Sequence, residues 1–260
     1  MSERPYARVI AGDGGVRQLV LDRPPVNALG RDLVSDLNDA LQALAADAEA
    51  RCLVVRSAGK HFCAGADLKE RKTMSLEDVR AFVPRLAAVC NGLAALPFPT
   101  IAAVRGAAAG GGCELALGCD LRVLASDASI GLRETALAII PGAGGTQRLP
   151  RLIGPARAKR WIFEAAMHTA EAALADGVAD RVVPAERLDE EALTLAGKIA
   201  ANGPLAVRAA KRSIELGAHL PLGEALALEW DCYQLTLDSR DRAEALEAFA
   251  AKRPPRFDGS

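Results

Sequence analysis

Aromatic residues are scarce in this sequence, and neither sign of charge is in excess. The 260 residues include six Phe, two Trp and two Tyr, which leaves few side chains on which nucleic-acid bases can stack. Lys and Arg total 32 against 33 Asp and Glu, a formal net charge of −1. A chain so balanced lacks the basic surface that a phosphate backbone or an anionic membrane attracts. We therefore expect neither nucleic acid nor membrane among its partners.

Metal-binding and disulfide patterns are also missing. There are three histidines, and the six cysteines form no Cys-x-x-Cys pair. Most of the cysteines stand in apolar runs, where a free thiol acts as a small hydrophobic side chain. The N-terminal residues lack the apolar core of a signal peptide. We expect no metal and a reducing intracellular compartment, the cytoplasm.

Long uninterrupted apolar runs are absent, although half of the residues are apolar. The most apolar stretch, around residues 100–125, is interrupted by Arg105, Glu114, Asp120 and Arg122, so it is not a membrane span. Together with 25% charged residues, this composition is typical of a globular protein with a sizeable core. A mainly disordered chain is excluded.

The first half of the chain alternates between strand and helix patterns. Helical spacing of apolar residues predicts one helix around 33–44 and another that begins after Ser75. Short apolar runs predict strands at 17–21, 52–55, 100–104 and 121–125. Short strands that alternate with helices need crossover connections, which indicates an α/β fold with a largely parallel sheet.

From about residue 155 helical periodicity dominates, and 181–183 is the one further strand candidate. Helices are predicted at 156–167, 170–176, 189–202, 205–216, 222–237 and 240–251. We expect this helical region to pack on a neighbouring subunit, so an oligomer is favoured over a monomer. Trp161 and Trp230 are interpreted as core or interface residues, and His168 and His219 as solvent-facing residues near helix ends.

Two glycine-bearing turns are the candidates for chemistry. The first spans 61–69 (HFCAGADLK), and the second spans 105–116 (RGAAAGGGCELA) between a strand and a helix. Three successive glycines let a ligand approach backbone N–H groups and the positive end of a helix, an arrangement that suits phosphate or an oxyanion. A tight crossing of helix and sheet explains the glycines equally well. Neither the P-loop nor the Rossmann spacing is present.

Two glutamates follow the glycines. Glu114 lies at the start of a very apolar helix, where it either complements the helix dipole or forms a buried carboxyl with a raised pKa. Glu134 comes shortly before a second glycine cluster, Gly142–Gly145, which we interpret as shaping the loop beside Glu134. Two carboxyls near an oxyanion turn can handle a water molecule and a proton. The residues alone thus indicate an acyl or phosphate site with acid/base glutamates.

The runs FCAGADLKE, AAAGGGCELALGCDLRVLAS and ETALAIIPGAGGTQRLPRLIG resemble the signature stretches of the enoyl-CoA hydratase/isomerase (crotonase) family. The runs ADLKERKTMS and AKRPPRF resemble its methylglutaconyl-CoA hydratase branch. The resemblance implies a spiral of ββα units, here residues 1–195 with the acyl-CoA site, and a helical region, 196–260, at a trimer interface. Such trimers commonly pair into hexamers.

The resemblance also implies the roles of site residues. The thioester carbonyl of an acyl-CoA would sit between the backbone N–H groups of Ala66 and Gly111, which form the oxyanion hole. Residues that match the family's substrate-binding stretches are Ala64, Ala66, Asp67, Leu68, Lys69, Gly110 and Gly111. Glu114 and Glu134 match the two catalytic glutamates. No metal or redox cofactor is implied, because coenzyme A is part of the substrate.

Two matching glutamates favour hydration of the α,β double bond over the alternative reaction, Δ3,Δ2-enoyl-CoA isomerisation, which one glutamate can support. A non-enzymatic alternative is RNA binding, since the branch includes a member that binds AU-rich RNA. That activity is attributed to a lysine-rich helix, and the matching segment 31–51 has no lysine here. We expect no specific RNA binding.

Arg133 departs from the family, which commonly has proline or a small apolar residue before the second glutamate. One interpretation is a solvent-facing side chain. The other is a guanidinium that binds the second carboxylate of a methylglutaconyl group, in which case it would lower the pKa of Glu134. For three further features we expect a surface or turn role for His61, packing roles for Cys63 and Cys113, and either CoA-phosphate contacts or a solvated tail for Lys252, Arg253 and Arg256.

Overall fold

The computed structural model describes residues 5–260 as an α/β protein built around a twisted sheet. In chain order its elements are β1 (Ala7–Ala11), β2 (Val16–Leu21), α1 (Arg31–Ala45), β3 (Cys52–Ser57), α2 (Leu68–Arg71), α3 (Leu76–Ala94), β4 (Thr100–Val104), β5 (Ala107–Ala109), α4 (Gly111–Leu117), β6 (Leu121–Ala125), β7 (Ser129–Gly131), α5 (Gly145–Ile153), α6 (Pro155–Glu164), β8 (His168–Thr169), α7 (Ala170–Asp176), β9 (Arg181–Val183), α8 (Leu188–Ala200), α9 (Pro204–Gly217), α10 (Leu222–Leu237) and α11 (Arg240–Ala250). Short 3-10 turns span 13–15, 134–137 and 185–187.

The main sheet has the strand order β1-β2-β3-β4-β6-β9. The β1–β2 pair is antiparallel, and the pairs from β2 to β9 are parallel, with Leu53 of β3 beside Thr100 of β4. Leu53, Val54 and Val55 are fully buried because the central strands are covered on both faces. The predicted α/β fold with a largely parallel sheet is confirmed.

A second, small sheet has the order β5-β7-β8 and lies next to the site. Its strands have two or three residues each. None of them was predicted, because so few residues cannot show the alternation of apolar and polar side chains that indicates a strand. The triple glycine therefore follows β5 rather than β4. α5, which begins at Gly145, was likewise not predicted as a helix.

The helices were predicted well wherever an apolar stripe was long. α3 begins at a capping box, in which Ser75 and Asp78 each bind the other's backbone amide, as Ser75 had indicated. The bounds of α7 and α10 are those predicted. The predicted division at 195/196 falls inside α8, whose buried residues pack on the main sheet as far as Ala200, so the two-part description stays a prediction.

The last three helices leave much apolar surface uncovered. α9 and α10 pack against each other, and two cationic side chains tie α9 to the core. Lys211, 8% exposed, lies 2.9 Å from the Asp120 carboxylate, and Arg208 donates to the Ala50 carbonyl at 2.9 Å. The exposed apolar face includes Ile214, Leu222, Leu226, Trp230, Tyr233, Leu235, Leu246 and Phe249. Within residues 5–260, no helix has the length and apolar character needed to cross a membrane.

Candidate active site

The two glycine-bearing turns run side by side, joined by backbone hydrogen bonds. The Cys63 amide donates to the Ala107 carbonyl at 3.1 Å, and the Ala109 amide donates back to the Cys63 carbonyl at 3.0 Å. Upstream, the Phe62 amide donates to the Arg105 carbonyl at 2.9 Å. This pairing brings the end of the first turn next to the start of α4.

Gly65 and the start of α4 show how close the two turns come. Gly65 has φ +84°, and a Cβ built there would lie 3.3 Å from the Gly111 amide nitrogen and 2.5 Å from the Ala109 carbonyl oxygen. Gly111 is the first residue of α4, so its N–H has no intrahelical acceptor. The Ala66 N–H donates to no backbone carbonyl of residues 5–260. Gly65, the residue before Ala66, thus lies against Gly111, and the two amides predicted to form the oxyanion hole have no backbone acceptor among residues 5–260.

The glycines of the second turn serve two purposes. A Cβ on Gly112 would overlap the Cys63 carbonyl, so glycine is needed for the tight crossing of the turns. Gly110 has φ +54°, and a Cβ there would lie 3.0 Å from Oε1 of Glu134. The tight crossing predicted from the triple glycine therefore fits Gly112, and the approach of a ligand to the backbone N–H groups stays a prediction. One glycine allows the backbone crossing, and another lets a carboxyl lie over the turn.

Glu114 lies in the first turn of α4 and is 2% exposed. Its Oε1 accepts hydrogen bonds from the amides of Ala143, at 2.7 Å, and Gly145, at 2.9 Å. Burial raises the pKa of Glu114, whereas the two amides and the positive charge of Arg148 oppose that rise. The Gly142–Gly145 loop, expected to shape the surroundings of Glu134, supplies the hydrogen-bond donors that hold Glu114, a contact that was not predicted.

Glu134 begins the 3-10 turn after β7 and is 9% exposed. Burial, assisted by the negative charge of Glu114, raises the pKa of Glu134 to about 7. Its Oε2 is buried and has no hydrogen-bond partner among the described residues. The Arg133 side chain is exposed, and burial is the largest influence on the pKa of Glu134. A lowering of this pKa was expected only for a guanidinium that binds the substrate carboxylate, and that interpretation stays a prediction.

The stretch predicted to bind the CoA moiety divides into two kinds of residue. Ala64, Leu68 and Lys69 are exposed, in keeping with a ligand-facing surface. Asp67 has a different set of contacts. Its side chain caps α2 by accepting from the amides of Lys69 and Glu70, and it lies 2.8 Å from the Arg23 guanidinium, whose hydrogen bond lowers the pKa of Asp67.

The segment 23–29, which supports the first glycine-bearing turn, was not predicted from the sequence. Arg23 donates to the Ala28 carbonyl and to Asp67, and the Asp67 amide donates to the Leu29 carbonyl at 3.2 Å. Asn27, 3% exposed, donates through Nδ2 to Ser57 and to the His61 and Phe62 carbonyls. A polar residue in the run RPPVNALG was the available signal, because a buried amide needs partners of this kind.

Three other expectations have clear outcomes. His61 has the predicted turn role, since its Nδ1 accepts from the Ala107 amide at 3.1 Å. His168 was expected to face solvent, which is wrong: its ring stacks on Trp161 at 3.8 Å between centroids. Trp161 is fully buried, whereas Trp230 is 55% exposed and is therefore not a core residue.

The cysteines and the C-terminal cations behave as packing and tail residues. All six cysteines are free and buried, and burial raises the pKa of the Cys63 thiol to about 12. The packing interpretation of Cys63 and Cys113 fits these surroundings.

Arg253 binds both carboxylate oxygens of Glu244, and the Arg256 amide donates to the same carboxylate at 2.8 Å. This tail is therefore folded against α11.

The α/β fold thus brings two buried carboxyls, both with raised pKa values, to the two glycine-bearing turns, an arrangement that can support acid–base chemistry. The family model "Enoyl-CoA hydratase/isomerase" matches residues 11–260. The chain belongs to the enoyl-CoA hydratase/isomerase family.

Individual relatives agree with this assignment. Human methylglutaconyl-CoA hydratase, mitochondrial, is 48% identical over 238 residues, which cover 90% of this chain and 70% of that protein. The enoyl-CoA isomerase/hydratase fer4 of Mycosarcoma maydis is 46% identical over 255 residues, 94% of this chain and 93% of that protein. The crystal structure of enoyl-CoA hydratase from Bacillus anthracis has a TM-score of 0.96 at 43% identity and covers 98% of this chain and 100% of that one. The predicted family and its crotonase-like spiral with a helical C-terminal region are confirmed.

Proposed function

We propose that this protein is an enoyl-CoA hydratase that adds water across the α,β double bond of an acyl-CoA thioester. The observation that supports it best is the contrast between its two buried carboxyls. Glu114 accepts two backbone N–H bonds, which oppose the rise that burial causes in its pKa, while Glu134 has an oxygen without a partner and a pKa near 7. One group suited to accept a proton and one suited to donate it are what hydration needs.

In the proposed reaction, the thioester carbonyl accepts hydrogen bonds from the Ala66 and Gly111 amides. These amides stabilise the enolate-like charge, and losing one such donor typically costs about 2.7–4 kcal/mol of barrier. The water hydroxyl forms a bond to the β-carbon as its proton passes to Glu114, and Glu134 gives its proton to the α-carbon. A proton then returns from Glu114 to Glu134, so water is consumed and the enzyme is restored. The proposal needs no cofactor.

The direct test is hydration of 2-enoyl-CoA thioesters of short, branched and long chains by wild type, Glu114→Gln and Glu134→Gln. We expect each variant to lose about 10²–10⁴-fold in rate, the usual contribution of a general acid or base. Unchanged folding is checked by circular dichroism. A loss below tenfold in either variant would contradict the assignment of that residue.

For the substrate, we propose methylglutaconyl-CoA, on the basis of the similarity to the human hydratase of that name and of the exposed Arg133 beside Glu134. A bidentate guanidinium–carboxylate contact contributes about 1.5–3 kcal/mol, which corresponds to a tenfold to hundredfold preference over a neutral enoyl-CoA of similar size. Arg133→Val should remove this preference, and Arg133→Lys should retain part of it. Equal rate changes on both substrates would show that Arg133 does not bind the carboxylate.

Isomerisation is the second candidate activity, because one of the similar proteins is named an isomerase/hydratase. Assays of 2-enoyl and 3-enoyl thioesters side by side distinguish the two. If isomerisation needs one glutamate only, Glu114→Gln should lose hydration and keep most of the shift of the double bond. Glu134→Gln should lose both.

RNA binding gains no support from the segment 31–51. Its two arginines already have partners, since Arg31 forms ion pairs with Glu70 and Asp78, and Arg51 donates to the Phe257 and Ala200 carbonyls. A salt-sensitive, submicromolar shift of AU-rich RNA would overturn the expectation of no binding.

We further propose a homotrimer, or a hexamer formed by two trimers, in which the apolar face of α9, α10 and α11 packs on a neighbouring copy. Phe249 is 87% exposed and Leu222 is 74% exposed, which is costly for side chains of this kind in water. Light scattering coupled to size-exclusion chromatography gives the subunit number. Trp230→Glu, in the same face, should weaken assembly, while a monomeric wild type would refute the proposal.

A reducing compartment suits the six free cysteines, and we keep the cytoplasm as the proposed location. The human relative, by its name, is a mitochondrial protein. Fractionation of the native host's cells with an antibody to this chain decides between the compartments.

A further inference from the structure

The loop that precedes α5 holds Glu114 on one side and an arginine on the other. Ala143 takes part in both contacts. Its amide donates to Oε1 of Glu114 at 2.7 Å, and its carbonyl accepts from Nη1 of Arg148 at 3.0 Å. Any displacement of this residue therefore moves the donor that fixes the carboxyl.

Arg148 also connects this loop to α3. Its Nη2 donates to Oδ1 of Asn91 at 2.6 Å and approaches the Cys90 carbonyl at 3.5 Å. The loop folds tightly over the guanidinium, because a Cβ on Gly144, which has φ +110°, would overlap Nη1 of Arg148. The side chain is thus packed between the loop and α3, with its orientation set by contacts on both sides.

We propose that Arg148 is a positioning residue for Glu114, which fixes the loop that binds the carboxylate and supplies the positive charge that faces it. The catalytic part of this inference rests on the proposed hydratase activity. Arg148 itself donates to backbone and to Asn91, so its effect on the reacting atoms passes through the loop.

The surroundings of Glu114 define what the charge of Arg148 should do. Arg148 lowers the pKa of Glu114 against the larger effect of burial. The other titratable groups that act with Glu114 are the carboxyl of Glu134 and the thiols of Cys90 and Cys113, which burial keeps neutral. Removing the guanidinium leaves burial less opposed, so Glu114 should take up a proton at higher pH.

The experiment compares Arg148→Gln, which removes the charge, with Arg148→Lys, which keeps the charge but cannot make the forked contact to Ala143 and Asn91. Arg151→Gln is the matched control, because Arg151 is exposed on the same helix and donates to Gln147. The first readout is the pH profile of kcat/KM and kcat for hydration. The second is the titration of carboxyl carbons in protein labelled with ¹³C-glutamate, with the Glu114 signal identified from Glu114→Gln.

For Arg148→Gln we expect the acidic limb of the profile and the Glu114 titration to move to higher pH, with kcat at least tenfold lower. Arg148→Lys should lower kcat with a much smaller movement, and Arg151→Gln should match wild type. A Glu114 titration that does not move in Arg148→Gln overturns the inference. If that variant does not fold, a wild-type kcat in Arg148→Lys overturns the positioning role.

Failure of the proposed function gives a different result. In that case wild type hydrates none of the enoyl-CoA thioesters, while the NMR titration still reports the effect of Arg148 on Glu114.

Discussion

Replacing Glu134 by Gln should make the protein more stable at neutral and alkaline pH while it removes activity. Burial and the charge of Glu114 raise the pKa of Glu134 to about 7, against 4.5 for an ordinary glutamate. Between these two values the unfolded chain has lost the proton that the folded chain keeps. Stability associated with this group is therefore full below about pH 4.5 and is lost as the pH rises through 7.

The size of the effect follows from the same two values. The difference between 4.5 and about 7 corresponds to about 3.4 kcal/mol, at 1.36 kcal/mol per pH unit. Glu134 is 9% exposed, and screening by water at its exposed part reduces this to about 1–3 kcal/mol. Gln has the shape of the neutral carboxyl and does not ionise. The advantage of Glu134→Gln should thus be small at pH 5 and nearly complete at pH 8.

Thermal unfolding at fixed protein concentration measures this difference. For a chain of this length 1 kcal/mol moves Tm by roughly 2–4 °C, so Glu134→Gln should gain several degrees at pH 8 and much less at pH 5. Glu186→Gln is the control, since Glu186 is exposed and its substitution should have no pH-dependent effect. The same gain at both pH values, or a loss of stability at pH 8, would refute the reasoning.

Three substitutions elsewhere test the scaffold. Gly112→Ala should abolish soluble, active protein, because its Cβ would overlap the Cys63 carbonyl, and expression with circular dichroism checks this. Gly197→Ala, on the open surface of α8, should instead raise stability by about 0.4–1 kcal/mol in denaturant unfolding. Arg23→Gln breaks the ion pair with Asp67, which supports the first glycine-bearing turn. It should lower kcat for hydration about tenfold or more, because small displacements of reacting groups slow a reaction strongly. A wild-type kcat would contradict the role of that ion pair.

The parts of the fold that sequence reasoning predicted are those with a long or strongly apolar pattern. β4, β6 and β9 have the predicted bounds because each is a short run of buried residues between charged or turn residues. β5, β7 and β8 have no such pattern, since they pair only because the turns around the site bring them together.

In the site, the positions of Glu114, Glu134 and the glycine turns were predictable, but their partners were not. The amide that binds Glu114 most closely belongs to Ala143, 29 residues further along the chain. A residue with no polar side chain gives no sign in the sequence that its backbone binds a carboxylate. The pKa of Glu134 is raised mainly by burial, and the sequence does not show how deeply a side chain is buried. The positive charge of the neighbouring Arg133 suggested a shift in the opposite direction.

Both carboxyls and both amide donors of the site come from one continuous segment of one chain, 66–134. In an assembly that combines active and inactive chains, the activity of each subunit therefore depends on its own copy of this segment. Subunits with Glu114→Gln and subunits with Glu134→Gln should not restore one another when combined. Activity should fall in proportion to the share of inactive chains, so an inactivating allele of this kind would be recessive at the level of the enzyme.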